Sequence, residues 1–251
     1  MSALVVDVGN TRVKWARFAN GRLQRQHAAA HATWRAKDFE KHLLGHAQGI
    51  ERIVVASVAG AQLNRHLTVA ARRVAGVTPK FVSTRRRLAG VTTAYVQPWR
   101  LGVDRFVAII GAHHRAPHRA VCVIDIGTAM TIDLVNAAGE HLGGTIIPGP
   151  QLMVESLLKS TSGIRRRSSG KIRTHSLFAR DTRDAIERGA DHAVAAAVDY
   201  AVAEARHTFG SAPLVLLTGG AAERIQPLIQ SAHTLVPDLV LRGLVALLRC
   251  T

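Results

Sequence analysis

The sequence predicts an α/β protein made of two similar halves, and three observations lead there. Strand-like aliphatic runs alternate with helical periodicities along the whole chain. An aliphatic run interrupted by Asp–x–Gly occurs twice, in ALVVDVGNTRVKWARF (residues 3–18) and in VIDIGTAMTIDLV (residues 123–135). Each occurrence is followed by further strand and helix signals in a similar order. A carboxylate inside an apolar strand is costly unless it is satisfied, so its repetition at Asp7 and Asp125 asks for a chemical reason.

The elements follow in order. Gly9–Asn10 is a hairpin turn pair, because both residues tolerate positive φ. A helical stretch over 36–47 precedes RIVVASV (52–58), a buried-strand pattern. Over 62–74, Leu63, Leu67, Ala71 and Val74 share one helix face. PKFVST (79–84) is the next strand, and strand–helix–strand implies parallel pairing. Residues 85–102 read as an irregular connection with Pro98, and 104–114 as a helix ending near HHRAPH, whose histidines are expected at the surface.

The second half opens with strand–Gly–strand (120–135), a short strand (143–149) and a helix (151–161). A basic loop rich in Ser and Gly leads to a long helix over 181–210. Its apolar stripe is Ile186, Ala190, Ala193, Ala197, Val198, Ala201 and Ala205, and Gly210 is the stop. APLVLLTGG (212–220) is a buried strand, and a helix near 237–249 closes the chain. The division is placed at 1–114 and 115–251.

Composition narrows the function classes. With 251 residues, 47% hydrophobic and 4% aromatic, the core is aliphatic. No apolar run approaches the roughly 20 residues of a membrane span, and Asp7 with no basic leader argues against a secretory signal. Cys122 and Cys250 form no CxxC motif, so a disulfide-free cytoplasmic protein is expected. The net charge of +16 raises nucleic-acid binding as a hypothesis. Against it, arginines are scattered, and the triplets Arg85–Arg87 and Arg165–Arg167 are not interleaved with aromatics for base stacking. An Arg-rich solvated surface is the favoured reading.

The Asp–x–Gly turns carry the chemistry. Glycine lets the backbone approach a phosphate, whose oxygens accept bonds from turn N–H groups and from the hydroxyl of Thr11 or Thr128. Asp7 then faces a metal-bound phosphate and Lys14 adds positive charge. Two such turns supply the two-sided grip that a nucleotide phosphate chain needs, and Asp133 adds a second carboxylate on the outgoing strand. Neither GxxxxGK[ST] nor GxGxxG is present.

A duplicated strand–turn–strand grip with a later TGG resembles the fold shared by acetate and sugar kinases, heat-shock ATPases and actin. The resemblance implies two actin-like (ribonuclease H-like) α/β domains flanking a nucleotide cleft. Within that group, DVGNTRVK (7–14), YVQPWRLGVDR (95–105), DIGTAMTID (125–133), GGTIIPG (143–149) and DTRDAIERG (181–189) resemble, in order, the motifs of the type III pantothenate kinases, or Bvg accessory factor family.

That resemblance implies ATP-dependent phosphorylation of pantothenate, with Mg²⁺ and a monovalent cation, potassium or ammonium. Asp7, Val8, Gly9, Asn10, Thr11, Arg12, Val13 and Lys14 correspond to the first ATP-binding segment, and Thr128 to a contact from the second turn. Asp104 corresponds to the proton acceptor. Gly102, Val103, Arg105, Tyr95 and Thr182 correspond to pantothenate contacts, and Asp125 to the cation ligand. Family members are typically homodimers, which makes the alanine-rich face of 181–210 a candidate interface.

Phe106 stands where tryptophan is common, and TSGIRRR (161–167) replaces a stretch that often ends in Leu-Pro. Thr182 also suits a helix N-cap. Two other readings stay open: another kinase of the same superfold with a different acceptor, and a regulatory or nucleic-acid-binding protein.

Overall fold

The computed structural model describes residues 2–45, 48–161 and 176–250. The loop expected at 161–173, including Arg165–Arg167, therefore lies, apart from Thr161, outside the described residues. The chain forms two compact units. One comprises 1–118, 137–141 and 238–251, and the other 119–136 and 142–237.

In the first unit, β1 (Ser2–Val8) and β2 (Arg12–Ala19) form the expected hairpin, with Asp7 opposite Lys14. β3 (Arg22–Leu23) and β4 (His27–Ala30) both pair with β2. After α1 (Ala36–His42), β5 (Arg52–Ser57) lies parallel to β1. Then α2 (Ala61–Ala75) crosses to β6 (Lys80–Phe81), giving the order β3-β2-β1-β5-β6.

Alternation along β1 sends Leu4, Val6 and Val8 to one face, where Phe39, Leu43 and Leu44, with Leu67, Ala70 and Ala71 of α2, cover them. Each fully buried Leu or Ile there contributes about 1.5–3 kcal/mol. The buried face of α2 is rotated from the expected one: Ala70 replaces Val74, which is 47% exposed. Residues 85–102 contain a small hairpin, β7 (Arg87–Leu88) and β8 (Val91–Thr92), and a 3-10 turn at Pro98–Arg100. α3 spans Val103–Arg115.

The second unit repeats the plan. β9 (Val121–Ile126) and β10 (Ala129–Val135) form an antiparallel hairpin, and β11 is His141–Pro148. α4 (Pro150–Ser160) and α5 (Thr182–Phe209) precede β12 (Leu214–Thr218), which is parallel to β9. α6 (Ala222–Ile225) leads to β13 (Thr234–Leu235), and the order is β11-β10-β9-β12-β13. That matches the main path of the first sheet, which carries β4 as an additional strand on β2.

Cys122, Ile124, Ile126, Met130 and Ile132 pack against Val194, Ala195, Val198 and Val202 of α5. Val194 and Val202 take inward places, while Ala193, expected in the stripe, is exposed. Gly210 ends α5 at φ 66°. Burial first, then the nearby Asp133, pushes the Cys122 thiol up to about 12, so it is an inert core group.

The units are not the contiguous halves expected from the repeat. α7 (Leu239–Arg249) is buried at every position except Arg242 and Arg249. Such a helix needs cover all round, which α3, β1, β2 and β5 of the first unit supply. Close approach to α3 depends on missing side chains. A Cβ at Gly111 would lie 2.5 Å from the Leu239 carbonyl oxygen, and one at Gly243 would overlap the Val107 carbonyl.

Gly243→Ala is therefore expected to cost about 1–3 kcal/mol through overpacking, read as a lower urea midpoint. Gly189→Ala, on α5 with open space at its Cβ position, is expected to gain up to about 1 kcal/mol from helix propensity. Equal midpoints for the two variants would contradict this account of the α3–α7 contact.

Candidate active site

Alternation places Asp7 on the β1 face away from α1 and α2, one residue before the strand end. The side chain is 7% exposed, and its cross-strand neighbour is Lys14. The turn closes through the Gly9 N–H donating to the Arg12 carbonyl at 3.0 Å. Val8 and Val13 are core residues flanking the turn, whereas Asn10, Thr11 and Arg12 are exposed at its tip. Buried valines thus hold a turn whose tip is exposed. His31, 6% exposed, bonds the Gly9 carbonyl through Nε2 at 2.7 Å, and its N–H donates to the Thr11 carbonyl. Sequence reasoning had no signal for this clamp, which comes from the residue just after β4, outside any motif.

In the second unit, Asp125 lies at the same place in β9, half-buried, on the face away from α5. Its register partners are Thr131 on β10 and Thr218 on β12, so oxygen-bearing side chains flank it on both sides. Asp133, 1% exposed, shares that face, which explains its place in an aliphatic strand. Thr128 is exposed at the turn tip.

Two glycines back this turn. The Gly149 N–H donates to the Thr128 carbonyl at 2.9 Å, and a Cβ there would lie 2.6 Å from that oxygen. Gly219, at φ 105°, would put a Cβ 2.5 Å from the Ile126 backbone. The first glycine of TGG is thus a close-approach position against β9.

The motif over 95–105 lies within the first unit. Gly102 is the N-cap of α3, Val103 and Asp104 are half-buried in its first turn, and Arg105 is 6% exposed. The Asp104 carboxylate accepts from the Arg105 N–H at 2.8 Å. Arg105 Nη1 donates to the Tyr95 hydroxyl at 3.1 Å, which brings two expected substrate contacts together. Phe106 is fully buried. Trp99 is 71% exposed, with the Arg100 guanidinium over its ring.

The DTRD segment starts α5. Its cap is Asp181, whose carboxylate accepts from the Asp184 N–H at 3.0 Å, so Thr182 is the first helical residue and not the cap. Thr182 borders a groove of about 1180 Å³ lined by Leu152, Met153, Leu157, Ala185 and Ile186. Arg188 and Asp184 form a buried pair at 2.8 Å, and Arg188 Nη1 also donates to the carbonyls of Ser176 and Phe178. This anchors the approach to Thr182; breaking such a buried pair costs about 3–5 kcal/mol. Among the described residues no three His, Cys, Asp or Glu side chains converge as a metal cluster.

Comparison with known proteins completes the picture. The profile of the type III pantothenate kinases matches residues 3–204. A type III pantothenate kinase of Nitrosococcus oceani is 34% identical, covering 96% of this chain and 91% of its own. One from Alkalilimnicola ehrlichii is 35% identical, covering 98% and 97%.

This chain belongs to the type III pantothenate kinase family.

Solved structures agree on the fold. A conserved Campylobacter jejuni protein assigned to the Baf family of transcriptional activators superposes with a TM-score of 0.58 at 19% identity, covering 98% and 97% of the two chains. A ROK family glucokinase from Streptomyces griseus, in complex with glucose and AMPPNP, gives 0.54 at 12% identity over the whole of both chains.

The histidines of HHRAPH are not all surface groups. His113 is half-buried, wedged against Gly90 and Gly139, where a Cβ would meet its ring at 3.2 Å and 3.0 Å. Burial first, then the charges of His114 and His118, lowers its pKa below 6.5. The unfolded chain therefore takes up this proton more readily, so the contribution is fully present above pH 6.5 and is lost as pH falls through that value. His113→Gln is expected to flatten the fall of the urea midpoint between about pH 7 and 5; an unchanged slope would contradict the assignment.

Proposed function

We propose that this protein transfers the γ-phosphoryl group of ATP to the terminal hydroxyl of pantothenate, giving ADP and 4'-phosphopantothenate on the way to coenzyme A. The observation that carries this reading is the recurrence of one Asp–x–Gly turn at the same place in two sheets of the same strand order, in a chain of this family.

Turn N–H groups over 10–12, with the Thr11 and Thr128 hydroxyls, hold phosphate oxygens, and Lys14 offsets their charge. In the transfer, the pantothenate oxygen bonds to the γ-phosphorus as the β–γ bridging P–O bond breaks. The hydroxyl proton passes to the Asp104 carboxylate. Gly102, Val103, Tyr95, Arg105 and Thr182 orient the acceptor.

Hard cations suit the donors at the strand ends, which are carboxylate and hydroxyl oxygens. Asp7 faces Mg²⁺-bound phosphate, and Asp125, between Thr131 and Thr218, holds potassium or ammonium. Mg²⁺ supplies neutralisation of the phosphate oxygens when bound. Mg²⁺ commonly binds through one or two carboxylates and the substrate phosphates, so a dedicated cluster of three side chains is not required.

The exposed Tyr200 on α5 and the apolar groove beside Thr182 support a homodimer. Two free thiols, Cys122 and Cys250, support a cytoplasmic setting, and among the described residues no helix is long and apolar enough to cross a membrane.

The test is pantothenate-dependent ADP release with ATP and Mg²⁺. Asp104→Asn is expected to lower kcat by about 10²–10⁴ with little change in melting temperature. Gly102→Ala, whose Cβ would sit 2.6 Å from Asp104 Oδ1, displaces that carboxylate and is expected to cost up to about a hundredfold while α3 stays folded. Full activity in Asp104→Asn would remove Asp104 as the base, and no pantothenate turnover in folded wild type would sink the assignment.

A further inference from the structure

Tyr95 is held at three places, and only one of them belongs to the motif that carries it. The turn behind it is tied by Arg86. Nη1 donates to the carbonyls of Thr93 and Tyr95, each at 3.1 Å, and Nη2 to the Val96 carbonyl at 3.3 Å. The Thr93 N–H donates back to the Arg86 carbonyl at 3.0 Å. Thr93 is 2% exposed, and its hydroxyl accepts from the Tyr95 N–H at 3.2 Å.

The ring is fixed by His141, 3% exposed, which stacks on it at 6.0 Å between centroids and 20° between planes. The third hold is the Arg105 bond to the hydroxyl, with the guanidinium 5.8 Å from the ring centre. Backbone, ring and hydroxyl are thus each fixed by a different residue.

The chemistry of the holds is specific. Three carbonyls converging on one head group match the forked donors of a guanidinium, whereas an ammonium is a compact point charge. Arg86 is the middle of a triplet that reads in sequence as solvated charge, yet its head group is committed to backbone oxygens. His141 meets Tyr95 in a near-parallel stack, a contact that another planar ring reproduces.

We propose that Arg86 and His141 are positioning residues for Tyr95, and that they set the affinity for the acceptor and not the rate of phosphoryl transfer. The proposal rests on the reading above, in which Tyr95 touches pantothenate. Pre-fixing a side chain removes its ordering cost from the binding step, so loosening it raises KM while kcat is kept.

Two measurements test it. In steady-state kinetics, Arg86→Ala and His141→Leu are each expected to raise KM for pantothenate about tenfold, leaving kcat and KM for ATP within about twofold. His141→Phe restores the wild-type value and Arg86→Lys does not. In a Tyr95→Ala background, Arg86→Ala adds nothing further. A matching loss in kcat, a shift in KM for ATP, or additivity with Tyr95→Ala would overturn the proposal.

The second measurement is independent of turnover. The chain has two tyrosines, so 3-fluorotyrosine labelling gives two fluorine resonances, assigned with Tyr200→Phe. Arg86→Ala and His141→Leu are expected to shift and broaden the Tyr95 resonance and leave that of Tyr200 in place. If Arg86→Ala fails to fold, Arg86→Lys serves in the same comparison. An unmoved Tyr95 resonance in folded variants contradicts the mount. Absence of pantothenate turnover in wild type, with the Tyr95 resonance still responding, contradicts the functional reading alone.

Discussion

The structure depends on holding an aspartate near the end of a central aliphatic strand without closing off the turn beyond it. Burying a carboxylate is unfavourable unless it finds partners, and both sheets meet this constraint the same way. One face of the strand packs against α1 and α2 in the first sheet and against α5 in the second, and the aspartate is placed on the other face. Lys14 lies opposite Asp7 across the hairpin, and Thr131 and Thr218 lie beside Asp125 in register. The hairpin core, not the turn, supplies the stability, and Asn10, Thr11 and Thr128 lie exposed at the turn tips.

The turns themselves are shaped from behind. At the second turn, Gly149 and Gly219 let two other backbone segments press against residues 126–128, where a methyl group would not fit. At the first turn, His31 does comparable work through one imidazole bond to the Gly9 carbonyl. The strand order is shared by the two units, but the supports behind the two turns differ. Sites held within about half an ångström need such supporting contacts as well as the residues that touch substrate.

The sequence made the local, periodic features legible. The two hairpins, α3, α5 with its Gly210 stop, and the parallel strands all follow from period and punctuation, and Asp7 and Asp125 stood out as carboxylates in aliphatic runs. Strands of two residues, such as β6, β7 and β13, are too short to carry a period. α7 reads as a helix, but its place beside α3 depends on Gly111 and Gly243, a non-local fit invisible to pattern. The same holds for His31, Arg86, His113 and His141, whose partners lie far from them in sequence or on another element. At Thr182 the local rule was ambiguous, and Asp181 one residue earlier took the cap.

The central claim is the proposal that each Asp–x–Gly turn binds nucleotide phosphate. The most direct measurement is calorimetric titration of AMPPNP into wild type, Thr11→Val and Thr128→Val, since both threonines are exposed at turn tips. Loss of a hydrogen bond to a charged group, about 1.5–3 kcal/mol, predicts that each variant weakens binding by roughly tenfold or more. Wild-type affinity in either variant would contradict the role proposed for that turn.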